Sequence, residues 1–133
     1  MTGVDLRLDG QAVIVTGASS GLGVIIANTL AAQGAAVLLA ARREDRLTAV
    51  ADEIARAGGN AAAVVCDVRD PGHAQHLVDR CVAAFGRLDG VVANAGIAGG
   101  GPAATEDPDR FMEVLTVNVA AVARLEEALV PDL

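Results

Sequence analysis

Residues Ala12 to Val15 (Ala-Val-Ile-Val) run directly into Thr16-Gly17-Ala18-Ser19-Ser20-Gly21-Leu22-Gly23, and an apolar, helix-compatible stretch follows. A short β-branched run, a glycine-rich turn and a helix in immediate succession form the opening of a βα unit. Such a turn also has a chemical use. Glycines let the backbone bend sharply and approach a ligand, and the helix start aims unpaired N–H groups at an anion. The spacing is G-x-x-x-G-x-G, which differs from the commoner G-x-G-x-x-G of dinucleotide sites. We expect Gly17 to end the strand, Gly21 to admit a ligand, and Gly23 to let the helix pack closely on the sheet. Ser19, Ser20 and Leu22 complete the expected diphosphate cradle.

The same rhythm continues along the chain. Strands are expected at Val13–Val15, Ala36–Ala40, Ala62–Cys66 and Leu88–Ala93. Helices are expected at Leu22–Gln33, closed by Gly34, and at Glu44–Ala57, with Leu47, Val50, Ala51 and Ile54 on one face. A third is expected at Pro71–Phe85, with Asp70 as N-cap and Pro71 as first residue. A polar, glycine-rich loop spans Asn94 to Asp107, and a last helix runs from about Pro108 to Val130. Strands alternating with crossover helices predict an α/β fold: a Rossmann-type, doubly wound parallel sheet in three layers. The chain reads as one dinucleotide-binding domain over residues 1–133.

Composition narrows the function. Ten basic residues, all arginine, against seventeen acidic ones give a net charge of −7. That balance argues against nucleic acid, so any anion site must be built locally. Aromatic residues make up 2% of the chain, so packing must rely on Val, Leu, Ile and Ala. Cys66 and Cys81 lack metal or redox spacing and are expected to be reduced, buried thiols of a cytoplasmic protein. Gly10 to Ala41 carries no charge, yet its glycines and its split into strand, helix and strand exclude a single membrane-spanning helix.

In sheets of this kind ligands bind beyond the carboxyl ends of the strands. After strand 2 come Ala41-Arg42-Arg43. A carboxylate there would meet a free ribose 2′-hydroxyl, whereas arginines suit a 2′-phosphate, so NADP is favoured over NAD. The competing reading makes them solvated residues beside Glu44 and Asp45. After strand 3 come Asp67-Val68, a carboxylate for an adenine amino group and a backbone N–H for a ring nitrogen; the alternative is a turn acid beside Arg69. After strand 4 come Asn94-Ala95-Gly96, where Asn94 can pin neighbouring strands. In the last helix Phe111, Val114, Leu115, Val122, Leu125 and Leu129 share a face with Asn118, a buried amide that needs partners. His73 and His76 are placed on the solvated side of their helix.

Thr16-Gly17-x-x-x-Gly21-x-Gly23, Asp67-Val68, Asn94-Ala95-Gly96 and Val117-Asn118 resemble, in order and spacing, the short-chain dehydrogenase/reductase family, from Leu8 onward. The resemblance implies NAD(P)-dependent hydride transfer between nicotinamide and an alcohol or carbonyl, with Val117 at the cofactor and Asn118 as the active-site asparagine. It also implies a small-molecule substrate, no nucleic acid or membrane partner, and homo-oligomers that often pair through the last helix. Ala93 replaces the first residue of the family's Asn-Asn-Ala-Gly turn. The family's Tyr-x-x-x-Lys is not matched, because the chain holds neither Tyr nor Lys. The Tyr serves as general acid/base and the Lys lowers its pKa. Members are considerably longer, so the chain looks like the cofactor-binding half. A missing fifth strand would leave strand 4 as an apolar edge and predicts self-association. The alternatives are a non-catalytic dinucleotide-binding half-fold and, less compatible with Asp67 and the arginines, a methyl-donor site.

Overall fold

The computed structural model describes residues 7–95. Four parallel strands, β1 (Ala12–Thr16), β2 (Ala36–Ala41), β3 (Asn60–Val65) and β4 (Gly90–Val92), lie in the order β3-β2-β1-β4. They alternate with α1 (Gly21–Ala32), α2 (Glu44–Arg56) and α3 (His73–Phe85). The chain winds outward from β1 through β2 to β3, and α3 then carries it back past β1 to β4. The winding reverses beside β1, and ligand crevices form at such reversals.

Alternation along the central strands assigns each side chain to a layer. Ile14 of β1 and Leu38 and Ala40 of β2 face α3, meeting Leu77, Val78 and Cys81. Val13 and Val15, with Val37, Leu39 and Ala41, face α1 and α2, meeting Ala27, Ala31, Leu47, Val50 and Ile54. Two cores on opposite faces of one sheet make the expected three layers. All five residues of β1 are buried, as a parallel strand covered on both faces requires. On α1 the buried positions are Gly23, Ala27 and Ala31, four residues apart. Within that stripe Ala27 and Ala31 supply the close helix–sheet packing expected of an aromatic-poor chain. Cys66 and Cys81 are buried and unpaired, as expected. Burial, followed by the nearby carboxylates, pushes both thiols up to about 11. The uncharged stretch from Gly10 to Ala41 divides into β1, α1 and β2, and among the described residues no helix is long and apolar enough to cross a membrane.

Several boundaries differ from the expectations. α3 begins at His73 with Gly72 as its N-cap, not at Pro71 with Asp70. The Asp70 carboxylate instead accepts from the Gly72 N–H at 2.9 Å, which closes a separate turn just before the helix. His73 is buried, contrary to the solvated position read from the sequence, and its Nδ1 lies 2.9 Å from the Asp70 carbonyl. His76 is exposed. β3 starts earlier because Asn60 already pairs with Ala36. β4 is shorter because only Gly90, Val91 and Val92 are in register with β1. Before that register begins, the Asp89 side chain substitutes for a ladder bond by accepting from the Ala12 N–H at 2.8 Å.

Candidate cofactor site

β1 ends at Thr16, and Gly17 turns the chain with φ +67°, a conformation glycine adopts without strain. The next N–H, that of Ala18, donates to the Ala40 carbonyl at 3.2 Å and ties the turn to β2. Ser20 is the N-cap of α1 in extended conformation, and no side chain caps the helix start. The first turn of α1 contains no acidic residue, so its N–H groups remain available to an anion. Gly17, Ser19, Ser20 and Leu22 line an open crevice of about 450 Å³.

Of the other two glycines, Gly23 does different work from that expected. Gly21 starts the helix with φ +56°, between the lining residues Ser20 and Leu22, and has open space where a side chain would stand. Gly23 is buried behind the turn, where an added Cβ would collide with the Gly17 carbonyl and stand 2.7 Å from the Asn94 amide nitrogen. Its close approach is therefore to the turn and the β4 loop, rather than to the sheet.

Thr16 joins the two halves of the crevice. Its hydroxyl oxygen accepts from the N–H groups of Asn94 and Ala95, each at 3.1 Å, and donates to the Val92 carbonyl at 3.5 Å. Asn94 reciprocates, its side-chain amide donating to the Gly17 carbonyl at 3.3 Å. This bears out the pinning role read for Asn94. Asn94 and Ala95 both line the crevice.

The far wall carries the charge. Arg42, Arg43, Arg46 and Arg69 line the crevice together with a single carboxylate, Asp67, among the described lining residues. Arg42 and Arg43 are exposed beyond the end of β2, and Arg43 lies 3.7 Å from Asp45 in an ion pair too exposed to contribute much. Arg46, in the first turn of α2, was not singled out from the sequence. Val68 and Cys66 also line this wall. The Asp67 carboxylate is gripped by Arg69, with Nη2 to Oδ2 at 2.7 Å and Nε to Oδ1 at 3.0 Å. That hydrogen-bonded guanidinium, opposed in part by desolvation, holds Asp67 down at about 2. The adjacent arginine, read from the sequence only as a neighbour, is thus part of the wall. Gly96, Val117 and Asn118 lie outside the described residues.

The chain that builds this crevice matches known proteins along nearly its whole length. The family model "short chain dehydrogenase" matches residues 11–133. A short chain dehydrogenase of Pseudocercospora fijiensis is 40% identical over 129 residues, covering 96% of this chain and 42% of that protein. A metagenomic short-chain oxidoreductase solved with NADP superposes with a TM-score of 0.89 at 39% identity, covering 95% of this chain and 57% of the other. A short chain dehydrogenase/reductase of Burkholderia phymatum solved with NAD gives 0.91 at 30% identity, over 96% and 46%. The chain spans about half the length of the curated relatives it matches. Since the family model matches all but the first ten residues, the chain belongs to the short chain dehydrogenase family.

Proposed function

We propose that these residues form the cofactor-binding part of an NADP(H)-preferring oxidoreductase, in which hydride passes between nicotinamide and a small alcohol or carbonyl substrate. The carrying observation is the basic rim: among the described residues four arginines and one carboxylate line the crevice, in a chain of net charge −7. The turn at Gly17 and the uncapped start of α1 fit a diphosphate. Ala41, Arg42 and Arg43 then fit a 2′-phosphate, with planar donors and no opposing carboxylate at the strand end. Asp67 and Val68 suit an adenine edge. Relatives of this fold have been solved with NADP and with NAD, and the arginines are the reason for choosing the first. Gly96 and Val117 are assigned to the cofactor and Asn118 to the reaction centre by the family's pattern. Pairing of copies through the last helix belongs to the same reading.

Titration with NADP⁺ and NAD⁺ tests the assignment. A charge-assisted contact to the extra phosphate should favour NADP⁺ by about tenfold or more, and Arg42→Ala and Arg43→Ala should narrow that gap. NAD⁺ binding as tightly as NADP⁺ would overturn it. A second reading is cofactor binding without turnover. The coding sequence of the parent protein, read for Tyr-x-x-x-Lys, together with an assay of hydride transfer, separates the two.

A further inference from the structure

Asp67 and Arg69 stand two residues apart at the carboxyl end of the sheet, and both line the crevice. Their contact is more extensive than an ordinary surface pair. Oδ1 accepts from the Arg69 backbone N–H and from Nε, both at 3.0 Å. Oδ2 accepts from Nη2 at 2.7 Å and shares Nε at 3.2 Å. A carboxylate offers about four acceptor positions, so Oδ1 is filled while Oδ2 retains capacity for a further donor. The backbone contact fixes the turn and the forked guanidinium fixes the carboxylate plane. With the side chains 39% and 38% exposed, such a pair contributes little to folding. Its effect on a ligand is larger, because a carboxylate already held in place need not be immobilised when the ligand arrives.

We propose that Arg69 is a positioning residue, whose guanidinium holds the Asp67 carboxylate in the orientation that receives the exocyclic amino group of adenine. The inference rests on the reading that adenine lies against Asp67. It assigns selection of the base to the Asp67–Arg69 pair, separately from recognition of the 2′-phosphate by the arginines after β2. The low pKa of Asp67, about 2, agrees with a group kept as a pure acceptor across the physiological range. A base with a carbonyl in place of the amino group would then be rejected, since it sets an acceptor against an acceptor.

The test is equilibrium titration of the full chain with NADP⁺ and with its hypoxanthine analogue, nicotinamide hypoxanthine dinucleotide phosphate. Loss of a hydrogen bond to a charged acceptor predicts a preference for adenine of about tenfold or more in the unsubstituted chain. Arg69→Ala should reduce that preference by about three- to tenfold, through weaker adenine binding, because the carboxylate must then be ordered by the ligand. Arg69→Lys, which keeps the charge without the fork, should fail to restore it. A role confined to folding would weaken both ligands equally and leave the preference unchanged. A clear preference in the unsubstituted chain that survives undiminished in both variants would overturn the role of Arg69 while leaving adenine at Asp67. Equal affinity for the two ligands in the unsubstituted chain would overturn the adenine reading, and this inference with it.

Discussion

Two glycines two positions apart illustrate how different physical demands select the same residue. At Gly21 the demand is conformational: φ is +56° and nothing stands within 4 Å of where a Cβ would be. At Gly23 it is spatial, because backbone of the turn occupies that volume. Gly21→Ala should therefore cost about 1–2 kcal/mol, the strain of a left-handed residue. Gly23→Ala should cost more, about 3 kcal/mol, because a backbone carbonyl cannot swing aside as a flexible side chain can. It should also displace the Asn94 amide from Gly17. Denaturant melts of the two variants, with the Asn94 side-chain amide followed by NMR, check the order; equal costs would mean that the turn yields easily. Sequence spacing identified all three glycines but placed the tight contact of Gly23 on the sheet, whereas its partners are the Gly17 backbone of the same turn and Asn94, more than 70 positions away.

The elements were legible wherever a periodic pattern was sustained. The stripe at Leu47, Val50 and Ile54 and the apolar runs of β1 and β2 gave the helix and strands that the structure contains. Legibility failed at the ends, where capping chemistry decides. Asp70 is a strong N-cap residue, yet it closes its own turn and the helix starts later at His73. β4 depends on a side chain before its ladder begins: Asp89 bonds the Ala12 N–H at 2.8 Å and is itself held by Arg87 at 2.6 Å. That guanidinium keeps the Asp89 carboxyl below its usual range. Asp89→Ala should speed amide exchange at Ala12 and along β4 relative to α2, measured by hydrogen exchange. Unchanged exchange at Ala12 would show that water replaces the carboxylate there without loss.

For the molecule as a whole, acid stability tracks its arginine-held carboxylates. Asp67 titrates at about 2 in the folded chain. An unfolded aspartate titrates near about 4. Its ionisation therefore favours the folded state above about 4, and that contribution is lost as pH falls through the folded value. The melting temperature of Arg69→Ala should lie below that of the unsubstituted chain at pH 7, with the gap closing between about pH 4 and 2. The gap is small, because the pair is more than a third exposed and screened by water and salt. A gap that persists undiminished from pH 7 down to pH 2 would assign the loss to packing of the arginine stem. The amino-acid sequence alone determined the order of strands and helices, the layered α/β class and the position of the glycine turn, because periodicity and turn chemistry act over a few residues. Tertiary structure decided which side chains build the crevice. Thr16 meets the Asn94 N–H across 78 positions, and Arg42, Arg46 and Arg69 share one rim with Asp67 only after β1, β2 and β3 align in register. Contacts of that separation are set by how the sheet is assembled, and no local pattern encodes them.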